Sequence, residues 1–355
     1  MKNIFKYIVI LAAGAIAFQA CDKWTDAEPV EVVYKDLKSK NPQLWAKYME
    51  SIRNYHNTDH QVLIAKFDNK ATTPEGRGEH INCLPDSVDY VILNNPLSVS
   101  ETISKEVAEI REQKAVRTLV PVSLDEIKSS YDKEYAEEID AYWQREDATL
   151  DDCPLDTPER FEAYVSQHLP AKLEAASTGN FDGILVIFNG VNPASYAESA
   201  LEGVIQRQKS MFSLVDSWIS SHSNALVFFE GTPGYVACET SVISTAKYII
   251  IPALAEVNEQ ALSYVVSQAV AAGSPADRIV IGVTTVDITD PTNTNGSFGS
   301  VSAIVGAAQW AVRSETGIVK KGVCVDHAQF DYYDITNVYS QINKAISIMN
   351  PSPVK

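Results

Sequence analysis

Carboxylates, amides and phenols that could do chemistry gather at the ends of apolar runs in this sequence. Asp68, Glu230, Asp287 and Asp326 close or follow such runs, and so do Asn69, Asn94, Asn95, Asn189, Tyr235, His327, Tyr332 and Tyr333. Two carboxylates facing one another across a groove would do general acid–base work. Amides and carboxylates beside aromatic rings would instead hold a polar ligand, taking its hydroxyls while an apolar face stacks on a ring. The stretch Asn180–Gly190, NFDGILVIFNG, bears most on the choice. It opens with Asp182 and then places Leu185, Ile187 and Asn189 on one face, because side chains alternate along a strand. Asn189 has no acidic proton to give at neutral pH and only exchanges hydrogen bonds. Leu185 and Ile187 fill a core.

The elements that must position these groups are legible as an alternation. Short, nearly continuous apolar runs occupy 60–69, 87–95, 116–124, 181–189, 224–231, 246–254, 277–285 and 321–329. Such runs are expected of strands buried on both faces. Helical spacing marks 98–115, 157–178, 199–221, 256–273, 300–313 and 337–350, and also 41–55, where Leu44, Tyr48 and Ile52 fall on one stripe after Asn41-Pro42. Eightfold alternation predicts an α/β chain closed into a (β/α)8 TIM barrel, with an open doubly wound sheet as the other arrangement. In a barrel the reactive groups lie at the C-terminal ends of the strands, and positions 185, 187 and 189 face inward. The acidic segment 125–156 reads as a long connection between the third and fourth strands, carrying Trp143 as a possible sugar platform. Residues 293–300, NTNGSFGS, read as a mobile loop after the seventh strand.

The fourth run resembles the strand-four motif of family 18 glycoside hydrolases, the chitinases and endo-β-N-acetylglucosaminidases, whose pattern is D-G-[LI]-D-[IL]-D-[FYW]-E. Asp182, Gly183, Ile184, Val186 and Phe188 stand where that pattern wants them. Leu185, Ile187 and Asn189 stand in place of the three later acids. Residues 80–95 are similar to the family's second-strand region, and 323–334 to the polar, aromatic tail after its last strand. The segment VPVSLDE departs from the family by lacking the glycines of an S-x-G-G strand-three end. In the family the last acid protonates the glycosidic oxygen, and the acid two residues earlier orients the substrate's N-acetyl group, whose carbonyl is the nucleophile. General acid catalysis is worth about 10²–10⁴-fold. The resemblance therefore implies a barrel that keeps the scaffold and lacks the reaction: a surface protein that captures N-acetylglucosamine-containing or N-glycan-type oligosaccharides for uptake. The expected contacts are Asn94, Asn95, Asn189, Glu230, Tyr235, Asp326, His327 and Tyr332. Two other readings stay open. One is an active endoglycosidase in which Glu230, with Asp287 or Asp326, replaces the missing acid. The other is a structural or assembly lipoprotein that uses the barrel as a platform.

The chain has 355 residues, enough for one large barrel, and 45% of them are hydrophobic. Residues 1–20 read as a lipoprotein signal peptide, with Lys2 and Lys6 ahead of an apolar run and Cys21 directly after Phe-Gln-Ala. Cys21 is the expected lipidation site, residues 21–40 the tether and residues 41–355 the barrel domain. The formal charge is −17, and removal of Lys2 and Lys6 with the signal leaves 27 basic against 46 acidic residues, or −19. A surface this acidic repels nucleic acid and leaves neutral sugars unhindered. The expected partners are an oligosaccharide, a membrane reached through the lipid at Cys21, and, by the resemblance, an outer-membrane glycan importer of the kind found in Bacteroidetes-like bacteria. The expected location is the outer membrane, at the cell surface. Cys83, Cys153, Cys238 and Cys324 form no C-x-x-C pair, and no histidine spacing stands out, so no metal or cofactor is expected. Export permits disulfides, while the apolar surroundings of Cys238 and Cys324 favour free thiols. No G-x-S-x-G or phosphate-loop motif occurs.

Overall fold

The computed structural model describes residues 37–352 apart from Ala71, Pro291 and Ile335. The expected signal peptide, Cys21 and most of the expected tether lie outside the described residues. The chain divides into two compact units, residues 1–48 and 49–355. In the first, a turn at Leu37–Lys40 precedes the start of helix α1 (Pro42–His56), where Asn41 Oδ1 accepts the Leu44 N–H at 3.0 Å. The rest of α1 belongs to the second unit. Met49 and Ile52 carry its buried stripe, while Leu44 and Tyr48, expected on that stripe with Ile52, are exposed.

The second unit is a closed parallel barrel. Its strands are β1 (Val62–Phe67), β2 (Tyr90–Leu93), β3 (Arg117–Ser123), β4 (Gly183–Phe188), β5 (Leu226–Gly231), β6 (Ile249–Pro252), β7 (Ile279–Thr284) and β8 (Lys320–Asp326). They pair in chain order, and β8 closes on β1 with Val62 opposite Gly322. All eight runs read from the sequence are these strands, and the closed barrel prevails over the open sheet. One face of the strands fills the interior with Ile64, Ile92, Leu119, Leu185, Phe228, Ile250, Val280 and Cys324. The other face packs under helices α2 (Glu101–Lys114), α3 (Leu124–Trp143), α4 (Pro158–Thr178), α5 (Glu198–Ser221), α6 (Glu259–Ala271), α7 (Ala303–Ala311) and α8 (Ser340–Met349). Among the described residues, β1 and β2 are joined through the 3₁₀ turns Arg77–Glu79 and Ile81–Cys83, and β5 and β6 through the 3₁₀ turn Pro233–Tyr235 and the four-residue helical turn Val242–Thr245.

Local chemistry explains the joints. Gly183 is required where β4 begins: a Cβ there would lie 1.9 Å from the Leu226 carbonyl oxygen of β5. Gly231 ends β5 with φ of +127°, a backbone that side chains other than hydrogen rarely adopt. The segment 125–156 is not merely a long connection, because its first half forms α3. Ser123 Oγ caps that helix by accepting the Glu126 N–H at 3.1 Å, and Asp125 and Glu126 complement its N-terminal dipole. Leu124, Ile127 and Tyr131 form its buried stripe. Residues 293–300 are likewise not simply a loop: Ser297–Phe298 pairs antiparallel with Val301–Ser302 in a small hairpin that leads into α7. The four described cysteines are free thiols, and Cys324 is buried in the barrel interior.

Candidate glycan site at the barrel mouth

The face of β4 that a hydrolase would arm is apolar. Leu185 is fully buried in the interior cluster, and Ile187 packs against that cluster one step nearer the mouth. Asn189 lies just past the strand end, exposed and tied to the first turn of α3. Asp125 Oδ2 accepts the Asn189 backbone N–H at 2.7 Å and its Nδ2 at 3.1 Å, and Oδ1 accepts the Gly190 N–H at 3.3 Å. Asp182 stands at the opposite end of the strand, away from the mouth. There it accepts from Arg111 Nε at 3.1 Å, Arg117 Nη1 at 3.0 Å and the Thr118 N–H at 2.8 Å. It is a clamp between α2, β3 and β4.

A charged cluster closes the top of the interior. Lys66 on β1 follows the inward parity of Ile64, and its Nζ lies 3.2 Å from Glu230 Oε1 and 3.5 Å from Asp326 Oδ2. Burial pushes the Glu230 carboxyl up, while the Lys66 ammonium opposes that shift and the Asp326 charge adds to it. Burial works against the Lys66 charge as well, but Glu230 and Asp326 outweigh it and hold the ammonium above the usual range. Glu230 Oε2 is buried and has no hydrogen-bond partner among the described residues. With Oε1 on Lys66 and Oε2 sealed, Glu230 has no free oxygen at the surface of the mouth.

A second polar cluster lies above it. Asp68 Oδ1 accepts Asn94 Nδ2 at 2.6 Å, and Oδ2 accepts Gln329 Nε2 at 2.6 Å and bonds the His327 ring at Nδ1. Burial opposes ionisation of Asp68, yet these three hydrogen bonds outweigh it and hold the carboxyl at about 2. The Asp68 hydrogen bond raises the His327 imidazole above its ordinary value, against a smaller opposing effect of burial. His327 sits at φ of +52° and stacks on Phe330, with ring centroids 5.7 Å apart and planes 15° apart. Nearby, Tyr333 is half exposed beside a cleft of 300 Å³ that Val286, Ile288, Val301 and Phe330 also line.

The fold thus brings Asn94, Glu230, Asp326 and His327 together with Asp68. It places several other expected contacts elsewhere. Tyr235 lies in a 3₁₀ turn against α5 and the end of α6, where its carbonyl accepts Gln208 Nε2 at 3.1 Å; it is on the outer wall and not over the mouth. Tyr332 packs on the helix layer and edge-on to Tyr339, which makes it a packing residue. Asn95 exchanges hydrogen bonds with buried Asn69, its N–H to Oδ1 at 2.9 Å and its Nδ2 to the Asn69 carbonyl at 2.8 Å, so the pair pins the β1 and β2 ends together. Trp143 ends α3, and a helix of 20 residues carries it about 30 Å from its start at the mouth. Asp287 folds back on Thr289 and Asp290 in its own turn and does not meet Glu230. Lys66, Asp125 and Gln329 are site residues the sequence reading passed over. The signal for Lys66 was present: a lysine inside an apolar run, two residues before Asp68.

A closed barrel of eight parallel strands with helices between them, its polar side chains gathered at the C-terminal mouth, defines the class as a (β/α)8 TIM barrel. The sequence model described as "Glycoside hydrolase family 18, BT1044-like" matches residues 25–348, and the chain belongs to that family. Among solved structures it is similar to a selenomethionine form of BT1044 bearing one Glu-to-Gln substitution. That likeness has a TM-score of 0.55 at 16% identity and covers 89% of this chain and 96% of that one. It is also similar to the apo endo-β-N-acetylglucosaminidase from Cordyceps militaris, with a TM-score of 0.54 at 15% identity over 86% of this chain and 96% of that one. A doubly substituted form of the Cordyceps militaris enzyme, in complex with fucosyl-N-acetylglucosamine-Asn, aligns with a TM-score of 0.52 at 15% identity over 85% and 95%. No curated protein sequence matches the chain.

Proposed function

We propose that this protein binds N-acetylglucosamine-containing or N-glycan-type oligosaccharides at the barrel mouth and does not cleave them. The observation that carries this reading is the inner face of β4: Leu185 buried, Ile187 packed above it, and Asn189 held by Asp125. A proton donor must come within about 3 Å of the glycosidic oxygen, and none of these three side chains has an acidic proton. Binding requires less. The Asp68, Asn94, His327 and Gln329 cluster offers fixed donors and acceptors for sugar hydroxyls, and His327, Phe330 and Tyr333 offer ring faces beside it. The ligand class is supported by family membership and by the sugar–asparagine ligand in the related Cordyceps militaris structure. Acylation at Cys21, an outer-membrane location and delivery of the captured glycan to an importer belong to the same proposal. A Cys21→Ser variant that loses incorporation of labelled fatty acid would support the anchor.

One observation favours a second reading, an enzyme with a displaced acid: burial raises the Glu230 carboxyl as a general acid requires. The Lys66 contact and the sealed Oε2 weigh against it. Affinity electrophoresis and reducing-end assays on chito-oligosaccharides and N-glycans separate the two. Retardation without release supports capture; release that Glu230→Gln abolishes and Asn189→Ala leaves intact supports the enzyme.

A further inference from the structure

At the end of the barrel opposite the mouth, two imidazoles converge on one carboxylate. His56 is the last residue of α1, His60 precedes β1, and Asp89 precedes β2. His56 Nδ1 lies 3.0 Å and His60 Nε2 2.7 Å from the same oxygen, Asp89 Oδ1. The other nitrogen of each ring faces a backbone carbonyl: His56 Nε2 lies 2.9 Å from the Asp86 oxygen and His60 Nδ1 2.8 Å from the Thr58 oxygen. A carbonyl oxygen only accepts, so in the neutral ring these outer nitrogens are assigned the proton. A neutral imidazole has one proton. In that neutral form the two inner nitrogens keep their lone pairs for a ligand, and all three ligand atoms lie within 4.8 Å of one another.

With both rings neutral, a positive charge is needed among the three acceptors. Two extra protons would make two imidazolium rings share one oxygen. A single divalent cation meets both lone pairs and the carboxylate at once. The side chains of His56, His60 and Asp89 are only 4%, 9% and 5% exposed, so little bulk solvent reaches them. Asp89 Oδ2 is already oriented by the Leu63 N–H at 2.8 Å, and each histidine by its carbonyl, the supporting contacts that metal-binding side chains use.

We propose that His56, His60 and Asp89 bind a divalent transition-metal ion of the zinc type. Two imidazole nitrogens and one carboxylate oxygen are a zinc donor set with the fourth position open. Here that position adjoins a cavity of 290 Å³ lined by His56, Asp89, Tyr90 and Asp182, where water can complete the shell. The ion ties the end of α1 to the starts of β1 and β2. Sequence spacing alone does not reveal the site, because Asp89 lies 29 residues beyond His60. It lies at the far end of the barrel and is independent of glycan binding.

The test is metal titration of tag-free protein after treatment with a chelator. Zn²⁺ is followed by competition with a chromogenic indicator, and Co²⁺ by its visible absorption. One equivalent of Zn²⁺ should bind, Co²⁺ should give the intense bands of a four-coordinate site, and the melting temperature should rise with Zn²⁺. His60→Gln should keep the far-UV circular dichroism and weaken Zn²⁺ binding by at least about tenfold. Absence of stoichiometric uptake by the wild-type protein overturns the assignment, whatever the variant does. So does unchanged affinity in folded His60→Gln.

Discussion

Ile187 on β4 and Glu230 on β5 are register partners, level with one another and both turned into the barrel. The carboxylate at this level is therefore one strand away from where the family's motif would put it, and it is committed to Lys66. Its neighbour on β4 is aliphatic. The charge at the top of the interior serves the β1, β5 and β8 walls, and the face that a hydrolase would use for chemistry serves packing.

Lys66 is the counter-ion on which buried Glu230 and partly buried Asp326 depend. Removing one partner of a buried ion pair leaves an uncompensated charge and typically costs about 3–5 kcal/mol. Lys66→Met should lose stability on that scale in chemical denaturation, and combining it with Glu230→Gln should recover part of the loss. Additive losses would mean that the two residues do not act as a pair.

Asp125 organises the turn after β4. Asp125→Ala removes three acceptor contacts to Asn189 and Gly190 and should cost about 1–3 kcal/mol. Hydrogen exchange at the two amides should accelerate in the variant. Unchanged protection there would show that the turn holds without the carboxylate.

Asp68 links stability to acid. Its carboxyl titrates at about 2 in the fold against 3.8 ordinarily, so its contribution is complete above about pH 4 and is lost as the pH falls towards about 2. Discounted for its partial exposure, that contribution is about 1–2 kcal/mol. The stability gap between the wild type and Asp68→Asn should shrink across that window. His327 carries the complementary upward shift, so the same bond weakens again as the pH rises through the raised histidine value. A gap independent of pH would contradict this account of the cluster.

Much of this architecture was legible before any coordinates. The eight strand runs are continuous and apolar because both faces are covered, and that pattern survives in sequence. Burial of Leu185 and the inward lean of Ile187 followed from alternation along one strand. The places of Tyr235, Tyr332 and Trp143 did not, because a residue just past a strand end can turn over the mouth or outward, and loop paths are set by tertiary contacts. The loop holding Tyr235 turns outward to Gln208. Helix α3 was obscured because its acidic surface hides the Leu124, Ile127, Tyr131 stripe. Lys66 was hidden in the opposite way, as a charge embedded in an apolar run.

Restoring the family's acids should not restore a hydrolase. Leu185 is fully buried among apolar neighbours, and an aspartate there would cost about 3 kcal/mol or more without a partner. Leu185→Asp combined with Ile187→Asp and Asn189→Glu should unfold at lower denaturant than the wild type and release no sugar. Efficient turnover by that variant would show that the rest of the mouth is still built for catalysis.

The most direct measurement pairs two readouts on the same wild-type sample: calorimetric binding of a chito-oligosaccharide or N-glycan, and mass spectrometry of that glycan after prolonged incubation. Saturable binding with the glycan recovered intact is the predicted result. Recovery of shortened glycan, at a rate that scales with protein concentration, would contradict capture without cleavage.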